Sequence, residues 1–464
     1  MVLDRRSLSY AALGLGPSWF VLDGIFAEVA LFDRTQPEGL ALATYLTAVS
    51  AVANTIVVPG HAVVQRRVQW SLRTWVGGAV YAQLATALVL AAFWHARAGG
   101  ASVALYLCVF ATSLVGNFQQ LALNPWAAET GRATRIVELM AGGNAGALLP
   151  AFLALLQRVD SVRREFGPTP FFLCLSALLL LPVIAFHAIG RVAKAAPGET
   201  ESPKSCELSP QHGGAFGGPS VPEFSSQHGG AFGGPSAPEE ITLPQHGGSF
   251  GGPAAPEEIT LDDDDEEEDA TWAETRLLSL KMPPLSRRVP DEDREARTQE
   301  CRRLAYSGAY YQLASWVLLR SFLPYAASLT APEASKDGAA YLAVAVSGSL
   351  ITCFVGALFA MRRDAPINVA RSDAVVTAGC LAVALASLVC GVAGRPKNPV
   401  AALVVVFATW IVRFLDGYCS PLFYRRIHTL SESIDVLQWA GVVAIWVVNA
   451  GVWLSLAVVL GVEN

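Results

Sequence analysis

Charge is scarce in this chain: only 16% of its 464 residues are Asp, Glu, Lys or Arg, against about a quarter in a soluble domain. Long stretches carry almost none, which excludes an ordinary water-facing fold. Catalytic signatures are missing as well. There is no G-x-x-x-x-G-K-[ST] loop for phosphate, no G-x-S-x-G elbow, no H-E-x-x-H and no CxxC pairing, so the chain reads as a non-enzyme with no cofactor and no metal centre. Of eight cysteines, Cys108, Cys174, Cys353, Cys380, Cys390 and Cys419 fall in or beside apolar runs, and Cys206 and Cys301 in a polar segment. No pair suggests a disulfide. N-x-[ST] sequons are also lacking. The net charge of -6 hides an asymmetry: residues 197–275 hold 17 acids and one base, Lys204, leaving 32 bases against 22 acids elsewhere. That basic remainder suits loops beside anionic lipid, and nothing in it calls for a nucleic-acid partner.

What the chain has instead is long apolar runs, and 53% of its residues are hydrophobic. Runs of about 20 apolar residues are long enough to cross a bilayer. Eleven are read, at 8–32, 40–59, 75–94, 102–118, 138–157, 171–189, 306–329, 341–361, 375–393, 400–418 and 437–460. The expected fold class is therefore all-α and polytopic, about eleven transmembrane helices in two halves, six and five, with membrane lipid as its surroundings. The first run exceeds a signal-peptide core and has no small-residue cleavage pattern, so it is expected to stay as a span. Arg and Lys in the loops divide fourteen against eight when the N-terminus is placed in the cytoplasm and the C-terminus outside, which favours that orientation, although Arg158, Arg163 and Arg164 count against it.

The organisation expected is an N-terminal membrane half over 1–190, a disordered cytoplasmic linker over 191–303, and a C-terminal membrane half over 304–464. Within the linker QHGGAFGGPS recurs from Gln211 and Gln227 and, as QHGGSFGGPA, from Gln245, followed by the acidic run 262–269. Gly, Pro and Ser cannot bury a core. His212, His228 and His246 lack neighbouring ligands at metal spacing, and the acidic run reads as a solvated, self-repelling tether.

Polar residues inside the runs are the functional candidates, because a charge at membrane depth costs about 2.5–3.5 kcal/mol on insertion scales and needs a cavity, a substrate or a counter-charge. The first run carries Asp23 and Glu28. Five residues apart, they lie about 140° from one another on a helix. Gly24, with Gly14, Gly16 and Pro17 upstream, offers a break that would turn both toward a central cavity; the alternative is a structural ion pair with Arg320 or Arg413. The fourth run adds Thr112, Ser113, Asn117, Gln119 and Gln120, which either bind a polar solute or tie helices together. In the tenth, Arg413 and Asp416 stand at i, i+3, the spacing of a self-neutralised pair, with Trp410 and Tyr418 beside them as ring-stacking faces or interface anchors. Pro324 and Tyr325 mark the mouth of the seventh run.

These residues resemble a known pattern. GPSWFVLDGIFAEVAL, then QPEGLALATYL and AVSAVAN, is similar to the opening of the eukaryotic riboflavin transporters, solute carrier family 52: Trp19, Gly24, Glu28, Pro37, Glu38, Gly39, Tyr45, Leu46, Ala53 and Asn54 fall in step. Thr112 and Ser113, Leu148 to Pro150, the run from Glu165, SFLPYA and GAAYLAV agree in order. Asp23 stands where the family has asparagine, Phe26 where it has tryptophan, and Arg413 and Asp416 where it has uncharged residues. The resemblance implies a plasma-membrane carrier of riboflavin working by alternating access, facilitated or proton-coupled through Glu28 or Asp23. It implies Trp19, Trp410 and Tyr325 as stacking residues for the flat ring, and Glu28, Asp23, Asn54, Thr112 and Asn117 as its polar contacts. A carrier of nucleosides or other heterocycles, and a receptor or scaffold using the acidic repeat loop, are the rival expectations.

Overall fold

The computed structural model describes all residues except 1–3, 17–18, 132, 158–164, 196–280, 287, 319–338, 363–367, 393–398 and 464. The repeats, the acidic run, Arg320 and Tyr325 therefore lie outside the described residues. Residues 1–196 and 266–464 make one compact unit, and 197–265 fall in a second that is not described.

The ordered chain is almost wholly helical. Asp4 caps α1 (Arg5–Leu15), its side chain accepting from the Ser7 N–H, which satisfies a donor that a helix start leaves orphaned. The first apolar run continues as α2 (Phe20–Ala27) and α3 (Val29–Thr35), with α1 and α2 bent by 50°. The break comes at Gly16 and its neighbours and again at Glu28, not at Gly24. Then follow α4 (Leu42–Val68), α5 (Leu72–Phe93), α6 (Val103–Phe118), α7 (Asn124–Thr130), α8 (Thr134–Gln157), α9 (Pro168–Leu178) and α10 (Leu180–Ala195). Beyond the undescribed stretch come α11 (Asp291–Gln312), α12 (Ala339–Arg362), α13 (Val369–Val392), α14 (Pro399–Ser431) and α15 (Ile434–Glu463). Two segments wind as π-helix: Gln119–Leu123 between α6 and α7, and Leu313–Leu318 after α11.

Among the described residues nine helices are long and apolar enough to cross a bilayer, ten if the bent pair is one span. The chain is thus an all-α multi-pass membrane protein, close to the eleven spans expected. The difference is the seventh run, whose second part falls on 319–338. Leu107, Ile184, Val400 and Leu454 are each more than 60% exposed, an outer surface that hydrocarbon would solvate and water would not.

One boundary moves. The expected linker ends at 303, but α11 begins at Asp291, with Asp291, Glu292 and Asp293 in its first turn, where the helix dipole favours carboxylates. Before it, Met282, Leu285 and Val289 are buried with Cys301 and Leu304 in one apolar cluster, and the Ser286 N–H donates to the Ser431 carbonyl at 3.1 Å. At the other edge α10 runs on to Ala195.

Helices approach closely where glycine removes the side chain. A Cβ on Gly14 would strike the Leu139 carbonyl and one on Gly142 the Ala11 carbonyl, so α1 and α8 meet backbone to backbone. The same holds between α12 and α14, where a Cβ on Gly356 would meet the Phe414 carbonyl and one on Gly417 the Cys353 carbonyl. With little hydrophobic drive between helices in lipid, such small-residue contacts supply the packing. A bridging cluster of Val57, Val58, Leu121, Val442 and Ile445 joins α4, the first π segment and α15.

Candidate functional site

The polar side chains of α4 and α6 face one another in a ladder. Ser113 Oγ donates to Ser50 Oγ at 2.8 Å; one turn on, Asn117 Nδ2 donates to Asn54 Oδ1 at 2.8 Å and to the Ser113 carbonyl at 2.8 Å. All four side chains are buried. The Trp19 ring leans on α6 at Gly116, where an added Cβ would lie 3.1 Å from the indole, one position along the helix from Asn117. Thr112, on the same helix, donates to the Val109 carbonyl at 3.2 Å. From α15, Asn449 Nδ2 and Trp453 Nε1 both donate to Thr55 Oγ1, at 2.9 and 3.1 Å. Of the expected residues, Asn54 and Asn117 meet directly, and Trp19 touches α6 at the position before Asn117.

The two first-run carboxylates go to different places. Asp23 is buried within α2. Glu28 is fully buried at the α2–α3 break and accepts from Gln157 Nε2 at 3.4 Å; that amide also donates to the Phe166 carbonyl at 2.9 Å. Glu28 is thereby anchored at the far end of α8.

On α14 the contacts of Arg413 and Asp416 lead to the second π segment. The Arg413 guanidinium carbon lies 3.8 Å from the Trp316 ring centroid, a cation–π contact. Asp416 accepts from Ser315 Oγ at 2.5 Å and from Ser420 Oγ at 2.7 Å. Both charged residues are at least 96% buried. Trp410 closes the α12–α14 contact: its ring fills the space above Gly348 and its Nε1 donates to the Ala345 carbonyl at 3.3 Å. Its indole N–H is thus spent on backbone.

Several contacts have no counterpart in the sequence reading. Gln120 Nε2 in the first π segment donates to Gln312 Oε1, immediately before the second, at 2.8 Å. Gln438 Nε2 donates to the Leu121 carbonyl at 3.2 Å, satisfying backbone inside a π turn. At the start of α8, Arg135 bridges Glu138 at 2.8 Å and Asp4 at 3.3 Å, and Ser7 Oγ donates to Glu138 at 2.6 Å. The bonds from Ser7 and Arg135 hold the exposed Asp4 carboxyl down at about 2. Gln119 and Gln120 stood out in the sequence as amides in an apolar run; Gln312 and Arg135 gave no such signal.

At the opposite end, the loop after α3 is clamped. Glu38 accepts from the Ser102 N–H and hydroxyl, each at 2.6 Å, and from Tyr106 Oη at 2.7 Å. Partial burial pushes this carboxyl up, but the hydrogen bonds from Ser102 and Tyr106 outweigh it and hold it below its ordinary value. Gly39, at φ +56°, takes the left-handed conformation that glycine adopts at no steric cost and turns the chain into α4. Among the described residues no group of three or more His, Cys, Asp or Glu is placed to hold a metal.

Residues 7–214 match the family model described as solute carrier family 52, riboflavin transporter. No curated protein matches the chain. Among solved structures, the major facilitator superfamily proton:xylose symporter XylE bound to 6-bromo-6-deoxy-D-glucose is similar with a TM-score of 0.51 at 9% identity, over 97% of this chain and 86% of that one. The transporter FucP in its outward conformation gives a TM-score of 0.40 at 11% identity, over 97% and 98%. The likeness to the first is one of fold.

Proposed function

We propose that the chain is a member of the riboflavin transporter family and carries riboflavin across the plasma membrane by alternating access, its two helical halves rocking around a site between them. The observation that carries this reading is the family match over 7–214, which spans both the Asn54–Asn117 bond and the Trp19 ring against α6 at Gly116. An indole face suits a flat isoalloxazine ring, and neutral amides suit its carbonyl and N–H edge and its ribityl hydroxyls. Thr112 backs the ladder through its bond to α6. Glu28, buried where the first span breaks, is the group assigned to coupling, with Asp23 on the neighbouring turn. Arg413 and Asp416 hold the second π segment in place on the C-terminal side. The N-terminus lies in the cytoplasm and the C-terminus outside, with 196–280 as the cytoplasmic tether.

The test is uptake of labelled riboflavin by cells deficient in it, expressing the wild type or Glu28→Gln at matched surface abundance. The reading expects saturable uptake that falls at least tenfold in the variant. Correctly localised wild-type protein that takes up nucleosides and no riboflavin would move the assignment to the nucleoside class.

A further inference from the structure

Three amide atoms on one helix face are left without partners. Gln120 Oε1 and both side-chain atoms of Asn124, Oδ1 and Nδ2, are buried with no hydrogen bond among the described residues. Asn124 is fully buried, and a buried polar atom left without a partner is destabilising. They are four residues apart across the π segment Gln119–Leu123, so they share one side of the chain. π segments widen a helix by one residue and gather at functional sites. Here the widened turn is held open from outside: Gln438 caps the Leu121 carbonyl, and Gly441 of α15 lets the Gln120 carbonyl approach to within 2.9 Å of where a Cβ would stand.

The fourth atom of interest, Gln120 Nε2, is engaged, but with the other side of the protein. It donates to Gln312 Oε1 at 2.8 Å, and Gln312 is itself held through a hydrogen bond with Tyr424. Gln119 and Gln120 are mostly buried but partly exposed within the helical span. A carboxamide presents one acceptor beside one donor, which is the complement of a cyclic imide edge, carbonyl beside N–H. We infer that Gln120 and Asn124 bind the imide edge of the transported heterocycle, and that the substrate displaces the Gln120–Gln312 bond as it enters. This rests on the riboflavin reading for its ligand and deepens it: the ligand class is a planar ring with a C(=O)–NH–C(=O) edge, and the edge is read across the contact between α6–α7 and α11.

The experiment is equilibrium binding to full-length protein in lipid nanodiscs, with riboflavin, N3-methylriboflavin and uridine as ligands. N3 methylation removes the donor, so wild-type affinity is expected to drop ten- to hundredfold, since a site built for an N–H rejects an analogue that lacks it. In Gln120→Leu riboflavin is expected to weaken by a similar factor and the two flavins to bind alike, while Gln119→Leu keeps the discrimination and checks that the fold tolerates change here. Retained discrimination in Gln120→Leu, or none in the wild type, overturns the inference. Uridine binding without riboflavin binding, with the same dependence on Gln120, keeps the imide site and removes the flavin; binding of neither ligand removes both.

Discussion

The N-terminal and C-terminal membrane halves share a glycine packing device and differ in the buried polar groups of α4–α6 and of α12–α14. α1 meets α8 at Gly14 and Gly142, and α12 meets α14 at Gly356 and Gly417, each pair close enough that a methyl group has no room. Between α4 and α6, in the N-terminal half, the buried polar bonds are neutral: Ser50–Ser113 and Asn54–Asn117. Along the α12–α14 crossing, in the C-terminal half, the buried polar groups are charged: Arg413 on Trp316, and Asp416 between Ser315 and Ser420. The lesson is that the packing device says nothing about the task. Neutral amides can exchange a partner for a solute at little cost, whereas a buried carboxylate that loses its donors is left uncompensated. The account therefore gives binding to the first region and support to the second.

The comparison breaks first at the glycines. Gly142→Val and Gly417→Val each force side-chain atoms into a neighbouring backbone carbonyl. Overpacking costs about 1–3 kcal/mol in adaptable cores and more against backbone. Both variants should lose the monodisperse peak in size-exclusion chromatography; survival of either would show that its crossing can open. Next in size, Asp416→Ala strands two buried hydroxyls and should destabilise by about 1–3 kcal/mol, read as a lowered melting temperature in detergent. Asn54→Ala, in the other region, should cost less stability and more transport. Equal losses of stability at the two sites would erase the distinction.

A smaller effect sharpens the contrast between the ladder and the loop clamp outside it. The Glu38 carboxyl is held low by Ser102 and Tyr106, so its folded value lies below the unfolded value near 4.3. A depressed acid contributes stability that is fully present above the unfolded value and is lost as pH falls through the folded one. Melting temperature should therefore decline on acidification below about pH 4.3, and Glu38→Gln should be less stable at neutral pH with a flatter acid limb. An unchanged limb would show that the clamp does not titrate. Least of all, Asp4→Ala, which removes the α1 cap and the exposed end of the Arg135 bridge together, should lower the melting temperature by a small, measurable amount.

The spans were legible because hydropathy over some twenty residues is a local property, and ten of the eleven runs reappear as helices in order. The break in the first run was legible in part, from Gly16 and Pro17; the one at Glu28 was not, because a buried carboxylate carries no breaking signal of its own. α11 was hidden for the opposite reason. Its first turns are rich in Asp, Glu and Arg, and only tertiary burial of Met282, Leu285 and Val289 turns that polar stretch into structure. The i, i+3 spacing of Arg413 and Asp416 pointed to a mutual pair; their contacts with Trp316 and Ser315, residues of a π segment that no periodicity announces, could not be read from it. Asn54 and Asn117 were each visible as polar residues in apolar runs, but a bond between positions 63 residues apart belongs to the fold alone.

The most direct measurement is riboflavin uptake into proteoliposomes holding equal amounts of folded wild type and Asn117→Leu. The account predicts saturable uptake by the wild type and at least a tenfold loss in the variant, with melting temperatures that stay close. Uptake that survives the loss of the Asn54–Asn117 bond, or a folded wild type that moves no riboflavin, would contradict it.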